Sequence, residues 1–233
     1  MMTGKNEAFR IVAGRVKLAP LDRIGWLAEE PDALRAAIAE AGRWRRFEAG
    51  QFLYQAGDPS SGLYGLAEGA LDITFPLVAE EPVTVHRAEI GFWIGDSAEL
   101  SGTPRLVSVS AASPSRVLHV PGEAMRRILA ARPEHWRALY RLSARNMETA
   151  VRLLSEALSL TVRARVARRL LALAGRDGAV SITQSDLAKL VGVTRATLQR
   201  CLSELEAGGV LRRGYAAVHV GDPLRLRRLA DEQ

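Results

Sequence analysis

Near the C-terminus, Arg195, Gln199 and Arg200 alternate with the apolar Leu198 and Leu202 over eight residues. The three polar side chains project from one side of a predicted helix. An arginine donates two hydrogen bonds to guanine O6 and N7, and a glutamine pairs with adenine N6 and N7. At the first turn of a helix in the major groove, such side chains reach base edges. Around them, Thr183, Gln184, Thr194 and Thr197 offer hydroxyl and amide groups suited to backbone phosphates, as are helix N–H groups. The expected chemistry is hydrogen-bond reading of double-stranded DNA.

That chemistry needs a scaffold, and the flanking sequence supplies one. Thr183-Gln-Ser-Asp186 reads as a capping box ahead of Leu187, Ala188, Leu190 and Val191, and Gly192 ends the helix it opens. Thr194 caps a second helix, carried by Leu198, Leu202 and Leu205 until Gly208-Gly209. Two short helices about a glycine turn make a helix-turn-helix, and residues 210–220 read as a β-hairpin wing behind it. Charge agrees. The first 161 residues hold 19 Lys and Arg against 19 Asp and Glu, whereas the last 72 hold 13 against 7 and so carry the whole net charge of +6. Such asymmetry points one end of the chain at a polyanion.

Upstream, from Pro133 to Gly175, no glycine or proline interrupts the chain. There Trp136, Tyr140, Ser143, Met147, Ala150, Leu154, Ala157 and Thr161 recur every three or four residues. This 3.5-residue period describes a seam between two helices, here a parallel homodimer with Tyr140, Ser143, Met147, Ala150, Leu154 and Ala157 at its centre. A second line, Leu139, Leu142, Val151 and Leu158, predicts that the other helix face is covered as well. Before it, apolar runs at 51–54, 63–67, 71–75, 83–87, 107–111 and 116–120 are punctuated by glycine-bearing breaks, the pattern of an antiparallel β roll. Residues 34–38 lie in a short Ala-rich helix. The expected fold is α+β: a β-roll sensor domain over 1–124, a dimerisation helix over 125–161 and a winged helix-turn-helix over 162–233. A switching element is expected at the junction near residues 160–163.

The run from Thr183 to Val210 resembles the winged helix-turn-helix of the Crp/Fnr transcription regulators. The resemblance extends upstream over about 200 residues. Glu48-Ala-Gly50-Gln-Phe-Leu-Tyr-Gln-Ala-Gly57-Asp58, Gly62-Leu-Tyr and Glu68-Gly69 look like that family's cyclic-nucleotide-type roll, and the seam helix like its dimerisation helix. It implies a homodimer on a two-fold related operator, with RNA polymerase as a further partner. One departure bears on base preference. Where relatives with the commonest recognition helix carry Glu, this chain has Ala196, which offers a thymine methyl an apolar contact and cytosine nothing. The half-site is therefore expected to differ from the common one.

Gly95-Asp96-Ser97-Ala-Glu-Leu-Ser-Gly102-Thr-Pro-Arg105 is similar to the family's phosphate-binding cassette. A glycine lets backbone approach an anion, helix-terminal amides face it, and an arginine supplies charge. The resemblance implies that Asp96 stands where nucleotide-binding members use Glu on the ribose 2′-hydroxyl, and Arg105 where an Arg pairs with the cyclic phosphate. Three departures count against cyclic AMP: the shorter Asp96, Leu106 in place of a small hydroxyl residue, and Val107 in place of Ala. Ala150-Val151 also replace hydroxyl residues that touch the purine. The cassette is expected to be degenerate, with Arg105 held by an internal carboxylate and Gly95 a plain turn. The alternatives are an intact cyclic-AMP or cyclic-GMP gate, or a ligand-binding module without DNA function.

Other chemistries lack residues. The single cysteine, Cys201, falls in the reading helix and excludes an iron–sulfur cluster. His86, His119, His135 and His219 are scattered, which speaks against haem and zinc. The Gly-x-Ser-x-Gly elbow, His-Glu-x-x-His, phosphate-loop and Gly-x-Gly-x-x-Gly motifs are missing, so no enzyme is expected. The longest apolar run is about five residues and residues 1–20 lack a signal-peptide core, so a cytoplasmic protein is expected, with no membrane partner.

Overall fold

The computed structural model describes residues 16–76, 83–175, 177–214 and 217–232. After a short 3-10 turn at Trp26–Glu29 and helix α1 (Asp32–Ala41) come strands β1 (Arg43–Phe47), β2 (Phe52–Tyr54), β3 (Gly62–Glu68), β4 (Leu71–Phe75), β5 (Val83–Ala88) and β6 (Trp93–Ile94). Helix α2 (Asp96–Ser101) precedes β7 (Ser108–Ala111) and β8 (Ser115–Pro121). The strands form two four-stranded antiparallel sheets, ordered β1-β8-β3-β6 and β2-β7-β4-β5. Strand pattern explains the closure. In β4, Leu71 and Ile73 point inward while Asp72 and Thr74 are only half-buried, and Val109 and Ala111 of β7 meet them on the same face. Period-2 alternation of this kind gives each sheet one apolar face.

Helices α3 (Gly122–Ala131) and α4 (Trp136–Ser159) follow, with a 3-10 turn at Pro133–His135 between them. The single helix expected over 125–161 is thus broken at both ends. Pro133 lacks an N–H and holds Arg132 out of the helical region. Leu160 is extended, and the Thr161 hydroxyl accepts from the Ala164 amide to cap the next helix, so Thr161 leaves the seam. Helix α4, about 36 Å long, buries Ala138, Leu139 and Leu142 against the roll. Trp26 Nε1 donates to the Ala138 carbonyl, and Arg141 pairs with the buried carboxylate of Glu30. Val151 and Leu158 are exposed, so the second apolar line is covered only in its first half.

The remaining elements are α5 (Val162–Leu173), β9 (Ala179–Val180), α6 (Gln184–Val191), α7 (Arg195–Ala207), β10 (Leu211–Gly214), β11 (Ala217–Val220) and α8 (Pro223–Leu229). The three strands form one antiparallel sheet, ordered β10-β11-β9. A separate core built on Val166, Leu170, Leu187, Leu198, Leu202 and Leu226 holds this unit together, and α6 packs on β5 of the roll. Among the described residues, no helix is long and apolar enough to cross a membrane.

Candidate nucleic-acid interface and sensor cassette

Helix α6 begins as the capping pattern predicts, with one difference. Thr183 Oγ1 accepts from the Asp186 amide at 3.1 Å, but the Asp186 carboxylate accepts from the Thr183 hydroxyl at 2.8 Å rather than from the Thr183 amide. Aspartate is a methylene too short for the reciprocal bond that Glu makes. Gly192 closes α6 at φ 71°, a left-handed conformation that turns the chain into Thr194. Thr194 Oγ1 in turn accepts from the Thr197 amide at 3.2 Å, and the two hydroxyls lie 2.9 Å apart. These hydroxyls therefore order the helix starts, and a phosphate would have to share them.

With α7 seated by the buried Leu198, Leu202 and Leu205, Arg195, Ala196, Gln199 and Arg200 are left in solvent. Gln199 Nε2 donates to Gln184 Oε1 at 3.3 Å, so the residue expected on phosphate touches the one expected on a base. Arg200 lines a separate groove of about 470 Å³ with Thr161, Arg163, Thr197, Cys201 and Glu204. Arg163 on α5 pairs with Glu204 on α7 at 3.0 Å, fixing the reading helix to the junction helix. The wing adds exposed Arg212, given no role by the sequence pattern, while Arg213 is tied to Glu206 and holds that carboxyl below the usual range.

In the roll, Arg105 is 4% exposed. Its guanidinium donates to the carbonyls of Gly95 (3.0 Å) and Gly62 (2.8 Å) and to Ser61 Oγ (3.2 Å), and lies 4.2 Å from the centre of the Tyr54 ring. The expected internal carboxylate is thus replaced by backbone carbonyls. Nor is Gly95 a plain turn: at φ 108°, a Cβ there would lie 2.5 Å from the Gly62 oxygen and 2.8 Å from Arg105 Nη1. Of the three guanidinium nitrogens, Nε alone lacks a partner. Burial pushes the Tyr54 phenol above its ordinary range, so the ring over the guanidinium stays neutral.

Asp96, also 4% exposed, faces α4. Its Oδ2 accepts from Ser143 Oγ at 2.5 Å and its Oδ1 from Asn146 Nδ2 at 2.7 Å. Ser143, expected only in the seam, thus bonds within its own chain; the seam side chains Tyr140, Met147, Leu154 and Ala157 are exposed and Ala150 lies among them. Ser97 is exposed on α2, Leu106 is 65% exposed and Val107 is half-buried. Tyr54, Ser61 and Asn146 were missed by sequence reasoning. Their partners lie more than 40 positions away, and no local spacing announces them.

Both terminal nitrogens of Arg105 and both oxygens of Asp96, the groups a phosphate and a ribose would need, are already bonded within the chain.

A β roll, a long helix with an exposed apolar stripe and a winged helix-turn-helix define a class of DNA-binding transcription regulators. Residues 44–132 match the family described as Cyclic nucleotide-binding domain, and residues 164–229 match the Crp-like helix-turn-helix domain. A CRP-like cAMP-activated global transcriptional regulator of Mycobacterium tuberculosis is 28% identical over 212 residues, covering 86% of this chain and 93% of the relative. The transcriptional activator protein anr of Pseudomonas aeruginosa is 25% identical, covering 93% and 91%. In fold, the chain is similar to a CRP/FNR-family transcriptional regulator from Thermus thermophilus, with a TM-score of 0.70, 23% identity and coverage of 82% and 99%. The chain thus combines a cyclic nucleotide-binding-type domain with a Crp-like helix-turn-helix domain, and the relatives it resembles along most of its length are CRP-like transcription regulators.

Proposed function

We propose that the chain acts as a homodimer that reads a two-fold related operator without needing a cyclic nucleotide. The observation that carries this reading is that both terminal nitrogens of Arg105 and both carboxylate oxygens of Asp96 are bonded within the chain. A ligand would have to displace those bonds before making its own. Two lost charge-assisted bonds, each worth about 1.5–3 kcal/mol, weaken binding by a factor on the order of 10² to 10⁴. The exposed stripe of α4, with Tyr140, Met147, Val151, Leu154 and Leu158, supports the dimer. In that dimer Arg195, Gln199 and Arg200 read bases; Thr183, Gln184, Thr194 and Thr197 lie near the backbone; RNA polymerase is engaged once the operator is filled. Half-sites about one helical turn apart fit the symmetry.

The test is a fluorescence-anisotropy titration of nucleotide-stripped protein on its own promoter duplex and on scrambled DNA, with and without excess cyclic AMP. Specific binding that is indifferent to cyclic AMP and falls steeply with salt supports the reading. Specific binding only with cyclic AMP overturns it in favour of gating, the activity named for the Mycobacterium tuberculosis relative.

A further inference from the structure

Between roll and winged helix-turn-helix the chain forms a cavity of about 960 Å³, walled by β5, α4, α5 and α8. Neither Arg105 nor Asp96 lines it. It follows α4 from Leu142 to Glu156, about 21 Å at 1.5 Å per residue. Its lining mixes apolar side chains, Ile90, Phe92 and Leu142, with four arginines, Arg152, Arg168, Arg169 and Arg227.

Two of those four cations pair with carboxylates of the same lining, which also holds Glu89 and Glu148. Glu156 takes Arg168 at 3.3 Å and Arg169 at 3.4 Å, both long contacts, and Asp231 takes Arg168 at 3.3 Å. Arg152 and Arg227 make no ion pair among the described residues. Glu148, one turn from Arg152 on α4, lies beside Arg145, itself paired with Glu29. The surplus is felt across the cavity. Burial, Arg169 and Arg152 together hold the His86 imidazole down to about 4, and its buried Nδ1 has no partner. Burial and the neighbouring guanidiniums of Arg152 and Arg168 also lower Arg169 itself. Guanidinium groups without an ion pair, in a nucleotide-sized cleft that also offers apolar surface, match an anionic ligand bearing a flat ring.

We propose that this cavity is a ligand site distinct from the cassette, taking a phosphorylated nucleotide or dinucleotide. Arg152, Arg169 and Arg227 hold its phosphates, and Ile90 and Phe92 face its ring system. Because α4 and β5 belong to one wall and α5 and α8 to the other, the bound ligand ties the roll to the DNA-reading unit. Its effect on operator affinity rests on the DNA-binding reading; the binding itself does not.

The test is calorimetric titration of the full chain with inorganic pyrophosphate, ATP and cyclic di-GMP. The same titrations are run on Arg152→Gln/Arg227→Gln and on Ile90→Ser, all exposed positions outside the cores. At least one nucleotide is expected to bind more than tenfold tighter than pyrophosphate. The double arginine variant should weaken it at least thirtyfold, and Ile90→Ser should weaken the nucleotide but not pyrophosphate. Hydrogen exchange with that ligand should slow in 86–92 and 223–231 and stay unchanged in 95–105. The proposal is overturned if none of the three binds at 1 mM, if the arginine variant binds as the parent does, or if protection falls on 95–105 instead.

Discussion

Asp96 offers the sharpest test of how the cassette is held. Its carboxylate is 4% exposed and has two donors, Ser143 Oγ and Asn146 Nδ2, both on α4. Ser143→Ala removes one and leaves Oδ2 without a partner. A hydrogen bond to a charged group is worth about 1.5–3 kcal/mol. The lower half of that range applies here, since Ser143 is only half-buried and water can replace part of the bond. At about 2–4 °C per kcal/mol for a chain of this size, the melting point should fall by roughly 3–9 °C. Urea unfolding followed by tryptophan fluorescence gives the same loss as a free energy. Asp96→Asn measured alone and with Ser143→Ala completes a double-mutant cycle, with an expected coupling of about 1 kcal/mol or more. Strict additivity, together with a Ser143→Ala cost below about 0.5 kcal/mol, would refute the tie. It would also free Asp96 for a ribose.

Three further outcomes are expected. Arg200→Ala should cost about 1–3 kcal/mol of operator affinity and relax preference at one base position; Gln184→Ala, which releases the Gln199 amide, should flatten an adenine preference at another. Selection from a random duplex library reads both. Leu154→Glu and Met147→Glu place charge in the exposed stripe of α4 and should give monomers by sedimentation velocity, with the roll still folded. His86 contributes stability that acid removes. Its folded value of about 4 lies below the ordinary 6.5, so between those limits the unfolded chain binds more protons, and stability falls as pH drops through that window. The loss is at most about 3 kcal/mol. Arg169, Arg152 and Asp72 surround the ring from α5, α4 and β4, and His86→Phe should show a correspondingly smaller loss in unfolding at pH 4.5 against pH 7.

Much of this architecture is legible in local pattern. The six apolar runs fall on β2, β3, β4, β5, β7 and β8, and the capping threonines mark α6 and α7 within a residue. What escapes is whatever depends on distant partners. Strand β1 reads Arg-Trp-Arg-Arg-Phe, too basic to look like a strand. It exists because it is an edge that pairs with β8, where Arg116 stacks on Trp44 at 4.0 Å. Helix α8, seven residues long, depends on Asp222 as its cap and on the pocket that buries Leu226. The seam period runs on past Ser159 to Thr161 because hydrophobic spacing does not register a hydroxyl that stops one helix to start the next. Arg105 and Asp96 are visible as a cassette, but the bonds that occupy them are not. Gly62 and Ser143 lie more than 40 positions from the residues they bond.

The join between α4 and α5 is a single extended residue, Leu160, followed by the cap at Thr161. In the proposed dimer that join works as the pivot of a pair of dividers. A unit of some 70 residues has a radius of roughly 11 Å, so its reading helix swings on an arm of about 20 Å. A turn of about 10° at each of two pivots then alters the reach between reading helices by about 7 Å, near two base pairs on a span of about 34 Å. Tolerance for operator spacing would then follow two backbone angles at one leucine that touches no base, within the limit set by the ion pairs that Glu156 makes across the join with Arg168 and Arg169.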